Sequence, residues 1–226
     1  ATTSPTIENL YDIVYSSNDS QFVAVGAYGT VITSNNGISW NTQSSGITED
    51  INKIMYDSVN SLYVVVGNMG TIATSPDGAI WTSKTSGTTN DLYGIGMWTS
   101  TVTYIAVGAA GTVLTSPNTN TWTARTSGVG TDLNAITVAL NRAVVVGQAG
   151  TIITSDVTGG QIGTVWVDRT GLTSEDLHSV SYLTYTINAV VYNDFFAVGN
   201  NATVISSADG ISWFQISVPS TNHLFN

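Results

Sequence analysis

Four aspartates recur at nearly regular intervals along the chain and could do chemistry together: Asp50, Asp91, Asp132 and Asp176. Each stands immediately before an apolar run, and Asn9 and His223 hold the equivalent places before the first and last runs. Carboxylates brought close together bind hard cations, or serve as the acid and base pair of a glycosidase. The alternative is an Asx turn that closes a loop in every repeat and needs no ligand.

A glycine-rich stretch, V-G-x-x-G-T, also recurs along the chain, as at residues 107–112. Such a stretch cradles phosphate where it leads into the N-terminus of a helix. Here a strand rich in Val, Ile and Thr follows each time, which predicts a tight turn with φ > 0 instead of a nucleotide site. In the last copy Ala202 replaces the second glycine after Asn200 and Asn201, and Asn tolerates that conformation.

Both patterns belong to one repeat of about 43 residues, a length typical of propeller blades. Each copy also carries one tryptophan: Trp40, Trp81, Trp122, Trp166 or Trp213. Period-2 alternation and turn residues predict four antiparallel strands per copy, named A to D from the axis outward. The predicted fold is an all-β, five-bladed β-propeller in one domain, with blades at residues 8–46, 48–87, 89–128, 131–171 and 174–218. A tail at 219–226 either closes the ring or begins a further blade.

Four copies place a short Ser-x-Asp/Asn motif ahead of the tryptophan, at residues 34–37, 75–78, 116–119 and 207–210. With V-G-x-x-G-T, this motif resembles the Asp-box (BNR, sialidase-like) propeller repeats, and the pattern is most similar to the photosystem II assembly-factor type. The resemblance implies that the box is a C–D turn remote from any active site, in a family that commonly has six or seven blades. Two departures are a spacing to Trp one residue shorter than usual and an Asp in only two of the four boxes.

The resemblance makes sialidase chemistry the first enzymatic alternative, and that chemistry requires three arginines around a substrate carboxylate. Arg125 and Arg169 fall on the outermost strands and Arg142 in an A–B hairpin, so the three are not expected to meet. The two histidines lack a partner at the i, i+4 spacing of metal ligands, and no nucleophile-elbow motif is present. The sequence therefore predicts no catalytic residues, no metal site and no cofactor.

Two insertions interrupt the repeat, one of about five residues in the C–D loop of blade four and one of about six in the A–B loop of blade five. Loops on a rigid scaffold commonly carry function. A–B and C–D loops open on the same side, opposite the aspartates, which predicts a partner face there, with Trp98 as an exposed anchor in a third A–B loop. Its residues are Trp98, Thr158, Gly159, Gln161, Tyr185, Thr186 and Asn188. The alternative is tolerated drift in surface loops.

The charge balance narrows the classes of partner. Fifteen Asp and Glu oppose five Lys and Arg, for a formal net charge of −10, and cysteine is absent. Nucleic acid and anionic membranes attract clustered Lys and Arg, so neither is an expected partner. No apolar run approaches the roughly 20 residues of a bilayer span, so membrane insertion is not expected.

These observations favour a non-enzymatic binding or assembly module that contacts a protein or a cell-surface glycan, as a homo-oligomer or as part of a larger assembly. An acidic, Thr/Ser/Asn-rich chain without cysteine suggests an extracellular or virion surface, such as a phage tail or capsid appendage. The alternatives are a carbohydrate-binding lectin, a sialidase-like glycosidase that uses the four aspartates, and an assembly chaperone of the photosystem type.

Overall fold

The computed structural model describes residues 4–217, which form twenty strands in five sheets of four. Blade one contains β1 Leu10–Ser16, β2 Gln21–Gly26, β3 Val31–Ser34 and β4 Asn41–Gln43. Blade two contains β5 Ile51–Asp57, β6 Leu62–Gly67, β7 Ile72–Ser75 and β8 Thr82–Lys84. Blade three contains β9 Leu92–Trp98, β10 Thr103–Gly108, β11 Thr112–Ser116 and β12 Thr123–Arg125. Blade four contains β13 Leu133–Ala139, β14 Arg142–Gly147, β15 Ile152–Asp156 and β16 Val167–Asp168. Blade five contains β17 Leu177–Ile187, β18 Val190–Gly199, β19 Val204–Ser207 and β20 Phe214–Ile216.

Every sheet pairs its strands in sequence order, antiparallel throughout. Consecutive blades meet most closely through their A strands: β1 lies against β5, β5 against β9, β9 against β13 and β13 against β17. The sheets therefore radiate from a common line, as predicted for propeller blades. Among the described residues there is no helix of the length and apolarity that a membrane crossing needs.

Each A strand begins with a β-bulge, because its pairing with strand B shifts by one residue after the first position. An unpaired residue at a bulge is turned away from the regular alternation. The bulged residues are Tyr11, Asn52, Tyr93, Asn134 and His178. The bulge thus gives every blade one side chain whose direction the alternation of the strand does not fix.

The core lies between blades. We call the side of a blade toward the next blade its trailing face and the side toward the preceding blade its leading face. Each trailing face packs on the leading face of the next blade. In the first interface, Val23 and Val25 pack with Ile54, Tyr63 and Val65 in one buried cluster. Homologous clusters fill the next three interfaces. In blades two to four strand B is covered on both faces, and its middle residues are almost fully buried there.

The repeated tryptophans close the outer end of these interfaces. Each indole Nε1 donates to a backbone carbonyl three residues earlier, at 2.8 to 3.3 Å. Trp81, Trp122, Trp166 and Trp213 pack against the cluster shared with the preceding blade. Each indole N–H is therefore satisfied by a backbone carbonyl of its own turn.

The V-G-x-x-G-T stretches form one short 3₁₀ turn per blade between strands B and C. The second glycine has φ near +68°, as at Gly150, which confirms the turn prediction. The first glycine has extended φ instead, and it is required because a Cβ on Gly147 would lie 2.0 Å from the carbonyl oxygen of Asp132. The glycines therefore allow close approach of backbones as well as a turn.

The leading face of blade one is exposed. Leu10 is 41% exposed, whereas the equivalent Ile51, Leu92, Leu133 and Leu177 are fully buried. A cavity of about 460 Å³ in front of this face is lined, within residues 4–217, by Ser4 and by residues of blade one only. Among residues 4–217 no strand of blade five pairs with a strand of blade one, and the tail predicted at 219–226 lies outside these residues.

Candidate functional site

The four repeated aspartates connect consecutive blades. Each carboxylate accepts a hydrogen bond from the backbone N–H of the left-handed residue in the B–C turn of the preceding blade, at 2.8 to 2.9 Å. The acceptors Asp50, Asp91, Asp132 and Asp176 receive it from Tyr28, Met69, Ala110 and Ala149 in that order. The bond crosses a blade interface, so it differs from an Asx turn within one loop.

In two of the four aspartates, Asp132 and Asp176, the second carboxylate oxygen also accepts a hydrogen bond. Gln148 donates to Asp132 at 3.2 Å, and Asn200 donates to Asp176 at 3.3 Å. Within residues 4–217, no group of three or more Asp, Glu or His side chains is arranged to hold a metal ion. A shared ligand site formed by the four aspartates stays a prediction, and the hydrogen bonds give these residues a structural task.

A cavity of about 340 Å³ lies between the A strands of blades two to five, and the bulged residues Asn52, Tyr93, Asn134 and His178 line it. Asn52 and Asn134 each donate to the carbonyl oxygen of the first residue in a following A strand, at 2.9 and 2.8 Å. Burial and the nearby charge of Asp132 raise the pKa of the Tyr93 hydroxyl. The cavity therefore presents amide and hydroxyl groups beside the ammonium of Lys53 and the ring of His178, which suit a polar ligand.

Two buried tyrosines bridge blades at the opposite ends of the A strands. The Tyr104 hydroxyl donates to Asp57, which is fully buried and also accepts from Asn60. Burial alone would raise the pKa of Asp57, but the hydrogen bonds from Tyr104 and Asn60 outweigh it and hold the pKa below its usual range. Burial, followed by the hydrogen bond to Asp57, raises the pKa of Tyr104. The sequence does not point to this pair, because Asp57 and Tyr104 are 47 residues apart and belong to different blades.

The first blade interface has the same arrangement with different residues. The Tyr63 hydroxyl donates to Asp19 at 3.2 Å, and Asp19 also accepts from Ser16 at 3.0 Å. Burial and the charge of Asp19 raise the pKa of Tyr63 to about 12. Both tyrosines thus stay neutral over the physiological range and act as donors that tie one blade to the next.

Each of the three arginines is bonded within its own blade. Arg125 donates to Thr115 at 2.8 Å, Arg169 donates to Thr154 at 3.3 Å, and Arg142 pairs with Asp156 at 2.5 Å. These contacts fix the guanidinium groups on separate strands and turns. The expected separation of the arginines fits these positions.

Trp98 does not form the exposed anchor that we predicted. It is the last residue of β9 and is only 9% exposed, packed in the cluster that joins blades three and four. That cluster contains Ala143 where blades two, three and five carry Tyr63, Tyr104 and Phe195. The indole therefore occupies space that a small residue leaves in the facing blade.

The insertion in blade four folds into a small turn. Thr158 and Gln161 exchange two backbone hydrogen bonds, at 2.7 and 3.1 Å, around Gly159, whose φ is +61°. Ile162 then turns inward and is buried. The polar tip is exposed and the apolar base is used in packing.

The insertion in blade five lengthens strands A and B into a hairpin, residues 183–194, that no other blade has. Its turn is Asn188-Ala189, both with positive φ, as in a two-residue hairpin turn. The Tyr185 ring stacks on Tyr192 with centroids 5.4 Å apart, and its hydroxyl donates to Asp194 at 2.5 Å. Thr184 also donates to Asn193 at 2.7 Å. Thr186 is the residue before the end of β17 and is exposed on the hairpin.

Comparison with solved structures supports the architecture. Two structures of YCF48 are similar to the chain: one from Cyanidioschyzon merolae (TM-score 0.62, 13% identity, covering all of this chain and 90% of that one) and one titled as bound to D1 peptide (TM-score 0.61, 16% identity, 93% and 83%). An auxiliary nutrient binding protein from Bacteroides thetaiotaomicron VPI-5482 matches with TM-score 0.68 at 12% identity, over 96% of this chain and 58% of that one. No sequence family and no curated protein matches the chain. At these identities the likeness shows a propeller fold, with five blades of four strands in the described residues.

Proposed function

We propose that this protein is a non-enzymatic binding module that recognises a protein partner through the hairpin of blade five. The observation that carries the proposal is the exposed apolar surface of that hairpin. Leu183, Ile187, Val190, Val191 and Tyr192 are all at least 42% exposed on a two-stranded projection. Clustered exposed apolar residues on a soluble scaffold mark contact sites for other proteins.

The hairpin is held rigid before any partner arrives. Its ladder runs from Leu183 opposite Asp194 to Ile187 opposite Val190, and the stacked Tyr185 and Tyr192 brace one side. A binding element that is already ordered loses less conformational entropy on association. This rigidity favours recognition of a folded surface or an extended segment without prior rearrangement.

The net charge of the molecule favours a partner of neutral or basic character. The structural comparison favours a protein as that partner. The net charge of −10 opposes close approach of acidic surfaces. A structurally similar protein, YCF48, has a structure titled as bound to D1 peptide, so peptide binding by a fold of this kind has a precedent. The same proposal includes membership in the Asp-box repeat family, a location at an extracellular or virion surface, and use as part of a larger assembly.

The C–D turns provide local support for the Asp-box assignment. In three boxes the serine hydroxyl accepts from a glycine N–H three residues later, as at Gly78 and Gly210, both 2.8 Å. Asp77 and Asp209 accept two further N–H groups of their own turn. These backbone hydrogen bonds lower the pKa of both carboxyls. Such turns are structural and supply no reactive group.

A photo-cross-linking residue tests the proposal. We would place benzoylphenylalanine at Val191, in the hairpin, and at Val59, which is similarly exposed in the A–B turn of blade two. The expected result is a discrete protein adduct from the source organism at Val191 only, lost when Ile187→Asp and Val190→Asp are introduced into the protein that carries the cross-linker at Val191. Equal labelling from both positions, or none from Val191, would contradict the proposal.

A carbohydrate-binding role is the second candidate, because the cavity between the A strands combines amide side chains with a tyrosine ring. Such groups recognise sugars by hydrogen bonds and stacking. A glycan array with a Tyr93→Ala variant alongside separates the two candidates. Saturable binding of one sugar class that the variant loses would favour the lectin role.

A further inference from the structure

A groove of about 410 Å³ lies between the outer strands of blade three and the C–D loop of blade four. Thr121, Thr123 and Arg125 alternate along one wall, in strand β12 and just before it. Gln161 and Thr164 belong to the opposite wall, in the loop that contains the insertion. At 3.3 Å per residue the first wall is about 13 Å long, which matches a few residues of extended chain.

Arg125 brings a positive charge to the groove, and its guanidinium is only partly used within the protein. The Nε group donates to the hydroxyl of Thr115 at 2.8 Å. Within residues 4–217 the terminal nitrogens have no hydrogen-bond or ion-pair partner. No Asp or Glu is among the described residues that line the groove. The outer edge of the guanidinium, which has a fork of N–H donors, is therefore free to bind an anionic group.

The preceding blade interface shows what a cation at this position normally contacts. Lys84 holds the place of Arg125 in blade two, and its Nζ donates to Asn120 in the C–D turn of blade three at 2.7 Å. The residue equivalent to Asn120 in blade four is Thr164, and Ile162 stands where the other four C–D turns have Asp or Asn. The turn opposite Arg125 thus lacks the polar groups that would satisfy the guanidinium.

The wall from blade four is ordered by contacts of its own. Ile162 is 1% exposed, and the N–H of Gly163 donates to the hydroxyl of Ser155 at 2.9 Å. The backbones of Thr158 and Gln161 exchange two hydrogen bonds just before it. A groove with walls fixed in advance loses less conformational entropy when a ligand binds.

The fold does not require a guanidinium at this position. Gln43 holds the same place in blade one, and its amide donates to Thr33 at 2.8 Å, as Arg125 does to Thr115. Blade five has Ile216 there. The contact within the blade therefore needs one donor at most, and the positive charge of Arg125 is surplus to it.

We propose that this groove binds an extended peptide segment through one carboxylate, held by the terminal nitrogens of Arg125 in a bidentate pair. The hydroxyls of Thr121 and Thr123 can donate to and accept from the backbone of the segment. No aromatic ring is among the described residues of the lining, so the groove offers no stacking surface for a sugar. Because the net charge of −10 opposes a polyanion, the segment carries its acidic side chain among neutral residues. The site is separate from the hairpin of blade five and does not depend on it.

NMR of the arginine side chains tests the site directly, because the chain has only three arginines. The protein is labelled with ¹⁵N-arginine and titrated with the peptide acetyl-Thr-Glu-Thr-amide, and with acetyl-Thr-Gln-Thr-amide as its neutral twin. The Nε–Hε signal of Arg125 should shift saturably with the first peptide, and binding of the second should be about 10-fold weaker or more. The signal of Arg169, whose Nε donates to Thr154 in the same way, should stay unchanged.

Variants at the groove provide a second readout through the backbone amide signals. Arg125→Gln keeps a donor for Thr115, as Gln43 does for Thr33, and should weaken binding of the glutamate peptide by about 10-fold or more. Arg169→Gln is the matched control and should bind the peptide like the wild type. Thr123→Glu places a carboxylate on the same wall as Arg125 and should also abolish binding. Equal melting temperatures of these variants would show that the fold is intact.

Three outcomes would overturn the proposal. No saturable shift at Arg125 would show that the groove binds no carboxylate, and equal binding of the two peptides would show that the charge is not recognised. Equal saturation by sodium sulfate or by glucuronate would indicate a general anion site instead of a peptide site. The hairpin variant with Ile187→Asp and Val190→Asp should still bind the glutamate peptide. Failure of the hairpin as a partner site would therefore leave this result unchanged, and failure here would leave the hairpin adducts unchanged.

Discussion

Replacing Gly150 by alanine should destabilise the protein far more than replacing Gly128. Both glycines have left-handed φ, +68° and +85°. Alanine therefore costs about 1–2 kcal/mol at either position. At Gly150 the new Cβ would also lie 1.9 Å from the carbonyl oxygen of Thr173, whereas nothing lies within 4 Å at Gly128. Thr173 lies in the segment that connects blades four and five. Displacing this connecting segment adds about 1–3 kcal/mol to the loss of stability, as overpacking does in protein cores.

Urea denaturation of the two variants and the wild type measures this difference. We expect the free energy of unfolding to fall by about 1–2 kcal/mol for Gly128→Ala and by about 2–5 kcal/mol for Gly150→Ala. The gap of about 1–3 kcal/mol corresponds to a difference of roughly 2–12 °C in Tm for a domain of this size. Equal losses of stability in the two variants would refute the close approach of the Thr173 segment to the B–C turn at Gly150. Phosphate should change neither value, because the stretch is a turn and not an anion site.

Three further results are expected. By urea denaturation, Ile54→Ala should cost about 2–5 kcal/mol and Ile13→Ala less than about 1 kcal/mol, because only Ile54 is buried. Equal costs would mean that the leading face of blade one is covered. Tyr104→Phe should lower the stability at pH 7 by about 1–3 kcal/mol. Since the folded pKa of Asp57 lies below its unfolded value near 3.9, the stability from this carboxyl is present above that value and lost as pH falls through the folded pKa. The two proteins should therefore converge in stability in acid, and a constant difference from pH 7 to acid would contradict the assignment. Trp98→Ala should lower the free energy of unfolding by about 3–5 kcal/mol and leave partner cross-linking at the hairpin unchanged. A stable variant that no longer cross-links would instead indicate that Trp98 contacts the partner.

The repeat made the local fold predictable. Strand alternation, the glycine turns and the tryptophans recur in five copies, so each blade is a repetition of one short-range pattern. The hydrogen bonds that define a blade join strands adjacent in sequence, and such contacts are encoded within about 43 residues. For the same reason the hairpin of blade five could be located from the extra residues alone.

Contacts between blades could not be read in this way. The partner of each repeated aspartate is a backbone N–H about 22 residues earlier in the preceding turn, or 27 for Asp176, and that pairing depends on how consecutive blades stack. Trp98 was predicted in a loop because it follows an apparent strand end, yet it is buried against the blade that carries Ala143. Size compensation across an interface involves residues that are distant in sequence.

The sequence by itself determined the blade, because every residue that specifies it lies within one repeat. Only the tertiary structure decided which blade faces are covered. Leu10 and Leu92 occupy the same place in the repeat, but one is 41% exposed and the other fully buried. Their difference depends on the presence of a neighbouring blade, since burial is a property of the assembled stack and not of the residue or its local pattern.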